Sequence, residues 1–198
     1  MDNQLIRLKI ISSTTRPGRK GPAIAAWIAD IARQHPEFSV ELLDLGELNL
    51  PLMDEPLHPL LGQYQHNHTK QWSATIDEAD AFVMVTAEYN HGMPAPLKNA
   101  IDYLSREWAY KPVGIVSYGG VSAGTRAAQM LKQVLTTLSM MPLADIVALP
   151  FFTQYFDEQD TFAPGLISQQ AADAMLNALK RWTTALQTLR PERVLEAG

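Results

Sequence analysis

Short apolar runs alternate with helical periods along the chain, and this alternation limits the fold more than any other feature of the sequence. Five apolar runs predict strands, at residues 5–11, 38–45, 81–86, 113–118 and 143–149. Between and after them, apolar residues recur three and four positions apart, which is typical of amphipathic helices. This spacing predicts five helices, around residues 22–31, 72–76, 97–104, 131–138 and 175–189.

Strands that alternate with helices favour a parallel sheet, because each helix returns the chain across one face by a right-handed crossover. The 198 residues suffice for one domain of this kind. We therefore predict a single α/β domain over residues 1–198, a doubly wound five-stranded parallel sheet with helices on both faces. The flavodoxin-like order 2-1-3-4-5 fits this number of strands, and ligands of such sheets bind beyond the carboxyl ends of the strands, where the order reverses.

The composition excludes several classes of function. Sixteen Lys and Arg against 21 Asp and Glu give a net charge of −5, which argues against a nucleic-acid partner. There is no cysteine, hence no disulfide, thiolate nucleophile or cysteine-ligated cluster. No apolar run approaches the roughly 18 residues of a membrane helix, and no apolar signal core begins the sequence. We expect a cytoplasmic protein without a membrane partner, whose redox chemistry, if any, needs a cofactor.

The loop after the first strand has a composition suited to an anion. Residues 12–22 contain four hydroxyl residues, the cations Arg16, Arg19 and Lys20, and no acid. With the N–H groups and dipole of the following helix, this set favours phosphate binding. The alternative is a solvated turn whose hydroxyls cap the helix. The loop lacks the Gly-Lys-Ser/Thr ending of a Walker motif, and the chain has no Gly-x-Gly-x-x-Gly fingerprint.

Two further loops follow the third and fourth strands. In residues 86–99, the side chains of Asn90 and His91 and the backbone amides suit the edge of a flat heteroaromatic ring, although a simple turn with a packed Tyr89 explains them equally well. In residues 117–126, three glycines allow the backbone to approach a planar ligand. Residues 120–124 also match the Gly-x-Ser-x-Gly nucleophile motif, but all five histidines precede Ser122, so the order required for an esterase triad is absent.

Three other segments have weaker signals. Residues 46–68 contain three prolines and no steady period, which predicts a long functional or partner-covering loop. His66 and His68 lie near His58, Asp54 and Glu55 in that loop; a polar loop is the favoured interpretation, and we predict no metal site. Asp77, Glu78 and Asp80 have the pattern of a solvated acidic cluster.

Together, the three loops resemble the NADPH-dependent FMN reductase family of flavodoxin-like flavoproteins, which includes quinone and azo-compound reductases. The resemblance rests on residues 13–19, 88–91, 97–102 and 117–120, which occur in the family's order and at similar spacing. Ser13-Thr14 stands where the family usually has Gly-Ser, and Ala87 where it usually has proline. These departures leave the implied cofactor unchanged.

The resemblance implies FMN as the cofactor, with its phosphate in the first loop and its ring between the other two. The implied FMN-binding residues are Ser13, Thr14, Arg16, Arg19, Gly21, Glu88, Tyr89, Asn90, His91, Ser117, Tyr118, Gly119 and Gly120. NADPH or NADH would pass hydride to flavin N5, and a quinone, azo compound or free flavin would then take the electrons in a ping-pong cycle. The chemistry would occur at flavin N5, without a catalytic side chain.

The resemblance also implies a homodimer or homotetramer, because a second subunit commonly walls the substrate side in this family. We expect residues 46–68, with Trp108 and Tyr110, to contribute to that wall. Two other functions fit the same sequence: a flavin-binding electron carrier or redox sensor without NAD(P)H activity, and a regulatory protein that has lost FMN.

Overall fold

Five parallel strands form one sheet in the order β2-β1-β3-β4-β5, which confirms the predicted fold class and strand order. The structure is a computed structural model that describes residues 5–190. The strands are β1 (Ile6–Ser12), β2 (Phe38–Asp44), β3 (Ala81–Ala87), β4 (Pro112–Tyr118) and β5 (Met141–Leu149). The strand order reverses between β1 and β3. The chain that leaves β1 and the chain that leaves β3 therefore run to opposite faces of the sheet, and a crevice remains between them.

Helices cover both faces of the sheet, as predicted. They are α1 (Gly21–Arg33), α2 (Leu45–Leu48), α3 (Asn67–Glu78), α4 (Ala95–Asp102), α5 (Thr125–Thr137) and α6 (Leu166–Gln187), with single 3₁₀ turns at Pro59–Leu61, Arg106–Trp108 and Phe152–Tyr155. Helices α1 and α6 pack on one face, and α2 to α5 pack on the other. None of the helices within residues 5–190 has both the length and the apolarity to cross a membrane.

The central strand β3 is buried on both faces, because every residue from Ala81 to Ala87 lies inside the sandwich. Phe82 and Met84 point into the core beneath α3 to α5, whereas Val83 and Val85 point into the core beneath α1 and α6. Each such side chain contributes roughly 1.5–3 kcal/mol when fully buried. The apolar run without alternation therefore reflects a strand with two covered faces.

The long functional or partner-covering loop predicted over residues 46–68 is shorter at both ends than expected. The carboxylate of Asp44 accepts the Gly46 N–H at 2.8 Å and caps α2, while α3 begins at Asn67. The segment between these helices is anchored on α4. The Asn99 amide donates to the Pro51 carbonyl at 2.7 Å and accepts the Met53 N–H at 2.9 Å.

Two aromatic residues expected near the substrate lie elsewhere. Trp108 is fully buried, with its ring 5.1 Å from that of Phe82 and its Nε1–H donated to the Ile101 carbonyl. Tyr110 precedes β4, at the opposite edge of the sheet from the carboxyl ends of the strands. The expectation that they wall the substrate side was therefore wrong.

Asp80 is also not part of a solvated cluster, since only 8% of the residue is exposed. Its carboxylate accepts bonds from the Arg7 backbone N–H and Nε, both at 3.0 Å, and from Arg190 Nη1 at 3.1 Å. These contacts join the start of β1 to the segment that follows α6. Burial alone would raise the pKa of Asp80, but the bonds from Arg7 outweigh it and lower the pKa.

Candidate functional site

A cleft of about 230 Å³ opens at the carboxyl ends of β1, β3 and β4, and all three predicted loops contribute to its wall. Eight of the predicted residues line it: Thr14, Arg16, Arg19, Glu88, Tyr89, Tyr118, Gly119 and Gly120. Ser13, Gly21, Asn90, His91 and Ser117 lie behind or beside this wall. Lys20, the third cation of the predicted phosphate loop, also lines the cleft, as do Ala87 and Phe152, which were not assigned to it from the sequence.

The first loop brings several hydroxyl groups to the N-terminus of α1. Ser13 is fully buried, and its Oγ has no hydrogen-bond partner among the described residues. Thr14 Oγ1 and Tyr118 OH lie 3.4 Å apart across the base of the cleft. A Cβ on Gly21 would lie 2.3 Å from Thr14 Oγ1 and 2.9 Å from Tyr118 OH, so only glycine fits there without moving this set. The arrangement offers donors to a ligand that brings acceptors.

The three cations of this loop have different surroundings, which the sequence did not predict. Arg19 Nη1 donates to the Thr14 carbonyl at 2.7 Å and to Asp44 Oδ1 at 2.6 Å, so its guanidinium braces the loop against the end of β2. Lys20 pairs with Asp160. Arg16 makes no salt bridge within residues 5–190; its Nε donates to Tyr89 OH at 3.2 Å. Of the three cations in this loop, only Arg16 therefore has no acidic partner within residues 5–190.

The second loop is a tight two-residue turn. Tyr89 and Gly92 exchange both backbone hydrogen bonds at 2.9 Å. The two residues between them, Asn90 and His91, have φ angles of 49° and 69°, as a type I′ turn requires. Few residues other than glycine adopt positive φ, but asparagine and histidine are among those that do so more often than most. The turn leaves both side chains exposed at the mouth of the cleft.

Glu88 joins the second loop to the third. Its side chain is only 6% exposed and accepts bonds from Arg126 Nε at 2.7 Å, from the Arg126 N–H at 3.1 Å and from Ser122 Oγ at 3.0 Å. Burial opposes ionisation, but the bonds from Arg126 and Ser122 outweigh it and lower the pKa of Glu88. The carboxylate thus stabilises the start of α5 through Arg126 and Ser122.

The third loop shows two uses of glycine. Gly124 has φ +77°, and a Cβ there would lie 2.7 Å from both the N and the O of Tyr118, so the turn requires glycine. A Cβ on Gly120 would meet no protein atom within 4 Å, because this residue faces the open cleft. A flat ligand can therefore lie close to the backbone at Gly120. Ser117 Oγ is buried nearby and has no hydrogen-bond partner among residues 5–190.

The family model described as NADPH-dependent FMN reductase matches residues 6–154, which include all three loops. This chain belongs to that family. An NAD(P)H-dependent FMN reductase of Schizosaccharomyces pombe is 41% identical over 145 residues, covering 72% of each chain. An NADPH:quinone oxidoreductase of Arabidopsis thaliana is 28% identical over 194 residues, covering 92% of this chain and 94% of the relative.

A solved structure gives independent evidence for the family fold. The flavoenzyme NAD(P)H:(acceptor) oxidoreductase of Paracoccus denitrificans superposes with a TM-score of 0.70 over 93% of this chain and 98% of its own. At 17% identity, the likeness concerns the fold alone.

Phe152 lies in the last few residues of the family match and was missed by the sequence analysis. Its ring packs edge-on against Tyr118, with centroids 4.9 Å apart. Burial raises the pKa of Tyr118 to about 12, so its hydroxyl keeps its proton at neutral pH. The sequence did contain a signal for Phe152, because Phe151 and Phe152 follow closely after β5. The carboxyl ends of all parallel strands lie at the same edge of the sheet, where ligands bind.

Two other motifs noted in the sequence have structural roles. The Ser122 hydroxyl donates to Glu88 and accepts a bond from Arg126 Nη2 at 2.9 Å, so this serine is part of the contact between loops. His66 and His68 stack with ring centroids 5.2 Å apart, and His68 Nε2 lies 2.9 Å from Asp54 Oδ1. Among the described residues, no group of three or more His, Asp or Glu side chains could hold a metal ion.

Proposed function

We propose that this chain is a single-domain, FMN-dependent NAD(P)H oxidoreductase that passes electrons from NADPH or NADH to a small acceptor. One observation carries the proposal: Arg16, which has no acidic partner in residues 5–190, lines a cleft beside a buried Ser13 hydroxyl that has no partner there either. Membership of the FMN reductase family supplies the class of ligand. The acceptor would be a quinone, an azo compound or a free flavin, the classes that the names of its relatives indicate.

The phosphate of FMN would bind at the first loop. Arg16 supplies the charge, Ser13 and Thr14 supply hydroxyl donors, and the amide of Gly21 lies in the first turn of α1, where N–H groups have no partner within the helix. Arg19 acts on the phosphate through the loop, because its guanidinium is bound to Thr14 and Asp44. The donor set fits a phosphate, whose oxygens accept hydrogen bonds and carry negative charge.

The isoalloxazine ring would lie between the second and third loops. The backbone amides of Asn90 and His91 would face its polar edge, whereas the Tyr89 N–H is already donated to the Gly92 carbonyl. The backbone at Gly120 can approach its face. Tyr118 lines the base, with the buried Ser117 behind it, and the Tyr118 hydroxyl remains a donor at neutral pH. When bound, FMN supplies the redox chemistry, taking hydride from the nicotinamide and giving electrons to the acceptor. The protein positions the ring and limits its contact with water.

A second subunit would cover the acceptor side, so we propose a homodimer or homotetramer. Large apolar side chains are exposed on the segment between α2 and α3, among them Leu52 at 83%, Leu60 at 54% and Leu61 at 52%. An exposed apolar patch of this kind is typical of a protein interface. Sedimentation velocity of the purified protein should give a mass of two or four times 22.0 kDa, and a monomer at micromolar concentration would contradict this part of the proposal.

The function is tested by an absorption spectrum followed by turnover. Purified protein should be yellow, or become so when FMN is added and the excess removed, and should oxidise NADPH or NADH in the presence of a quinone. Holo-protein that binds FMN but shows no turnover with either nucleotide would indicate an electron carrier or redox sensor instead. Protein that retains no FMN after reconstitution would contradict the proposal and favour a regulatory function. The cytoplasmic location is proposed separately and is tested by cell fractionation.

A further inference from the structure

The segment after β5 folds into a compact hairpin against the first loop. We call residues 155–163 the Asp160 hairpin. Phe156 and Phe162 form an antiparallel bridge, and the Asp157 carboxylate accepts the N–H groups of Gln159 at 2.9 Å and Thr161 at 2.8 Å. Asp160 lies in this turn with φ +65°. The hairpin lies just beyond residues 6–154, which the family model matches.

Aromatic packing fixes the hairpin beside the cleft. Phe162 packs edge-on against Trp27 of α1, with ring centroids 5.7 Å apart, and its ring lies 5.0 Å from that of Phe156. Phe156 in turn contacts Phe152, which lines the cleft. These ring contacts and the Asp157 bonds hold the hairpin without Asp160, so we expect it to keep its position in Asp160→Asn.

That carboxylate belongs to Asp160, and it is bound to a residue of the cleft. Both oxygens of Asp160 lie within hydrogen-bond distance of Lys20 Nζ, which also lies 5.0 Å from the centroid of the Phe156 ring. Lys20 lines the cleft together with Arg16 and directly precedes Gly21. The two side chains are 34% and 65% exposed, so the pair is screened by solvent and contributes little to stability. The flexible stem of lysine lets the ammonium reach other acceptors nearby.

We propose that Lys20 is a second phosphate-binding cation and that Asp160 competes with the ligand for it. Asp160 then sets the affinity of the cleft for phosphate-bearing ligands, which makes it a specificity-determining residue of the site. The inference rests on the proposed function, because it concerns the phosphate of the same cofactor. The physical basis is simple: a phosphate dianion attracts the ammonium more strongly than one carboxylate does, but it must first displace that carboxylate.

The test compares two ligands that differ only in the phosphate. Apo-protein is titrated with FMN and with riboflavin, and dissociation constants are measured by flavin fluorescence for wild type, Asp160→Asn, Lys20→Gln and the double variant. Asp160→Asn should bind FMN two- to fivefold more tightly and riboflavin equally well, which is the range expected for the loss of an exposed competitor. Lys20→Gln should bind FMN several-fold more weakly. In the Lys20→Gln background, Asp160→Asn should change FMN affinity by less than about 1.5-fold.

Asp30→Asn is the matched control, since Asp30 is an exposed acid of α1 that pairs with Arg33. It changes the net charge by the same amount and should leave FMN affinity unchanged. The inference is wrong if Asp160→Asn leaves FMN affinity unchanged, if it tightens riboflavin equally, or if its effect persists without Lys20. Wild-type protein that binds neither flavin would contradict the proposed function itself. If wild-type protein binds FMN and one of these three results is obtained, only the inference about Asp160 fails.

Discussion

Glu88 at the end of β3 is bound to Arg126 in the first turn of α5, through both the side chain and the backbone N–H of the arginine. This contact couples the two loops between which we place the flavin ring. The carboxylate lies near the N-terminus of α5, where negative charge is also favoured by the helix dipole. Glu88, which the resemblance implies as an FMN-binding residue, thus also holds the second loop to the start of α5.

Replacing Glu88 by Gln should lower the free energy of unfolding by about 1–3 kcal/mol at pH 7, because a charged acceptor is lost while the shape is kept. The folded-state pKa of Glu88 lies below its usual value of 4.5, so its contribution is complete above that value and disappears as the pH falls through the folded pKa. Urea unfolding of the wild type and the variant at pH 7 and near pH 3.5 measures the loss of stability and its dependence on pH. The difference in free energy of unfolding between wild type and variant should be smaller at the lower pH. An equal difference at both pH values would contradict a stabilising role of the ionised Glu88 carboxylate.

Arg16→Ala should weaken FMN binding by about 10- to 100-fold, since a charge-assisted contact with phosphate contributes roughly 1.5–3 kcal/mol. Riboflavin, which lacks the phosphate, should bind the variant and the wild type equally. Arg33→Ala removes an exposed arginine at the other end of α1 and serves as the control. If Arg16→Ala held FMN as tightly as wild type, the phosphate would not lie at this loop.

The strand order and the three loops could be predicted because they depend on local patterns. Apolar runs mark the buried strands, and the loops that follow β1, β3 and β4 meet at one edge of any sheet with this order. Local patterns do not show which distant residue a side chain pairs with. Arg19 and Lys20 looked like free cations because Asp44 and Asp160, which neutralise them, lie 25 and 140 residues further along the chain.

Which polar and aromatic residues are buried could not be predicted from the sequence either. Trp108 follows a polar, irregular stretch, so the sequence did not reveal that its ring closes the core against Phe82. Asp80 follows two other acids and therefore looked solvated. Its burial depends on Arg7 and Arg190, which reach it from opposite ends of the chain. Contacts between distant segments determine both cases, and a single sequence does not display them.

Asp80→Asn should lower the free energy of unfolding by about 2–4 kcal/mol at neutral pH, because it removes a charge that buried or half-buried arginines require. Asp30→Asn, which breaks an exposed pair with Arg33, should change it by less than about 0.5 kcal/mol. The pKa of Asp80 is lowered in the folded state, so its contribution is complete above its usual pKa of 3.8 and is lost only in more acidic solution. Chemical denaturation of the three proteins at pH 7 measures the contrast, and equal stabilities of the two variants would contradict it.

Gly124→Ala should destabilise the fold, whereas Gly120→Ala should not. A methyl group at Gly124 would lie 2.7 Å from the backbone of Tyr118, which cannot move aside as a side chain could, and the residue would keep φ +77°. The combined steric and conformational cost is about 2–5 kcal/mol, or a fall in melting temperature of roughly 5–15 °C for a domain of this size. Differential scanning fluorimetry of the apo-proteins measures this change.

The methyl group of Gly120→Ala would extend into the open cleft, with no protein atom within 4 Å, so the apo-protein should melt within about 2 °C of wild type. It would occupy space that we assign to the flavin ring, and both FMN and riboflavin should therefore bind at least tenfold more weakly. Equal loss for the two flavins separates this effect from that of Arg16→Ala, which depends on the phosphate. Unchanged flavin affinity in a normally folded Gly120→Ala protein would mean that the ring does not approach the third loop.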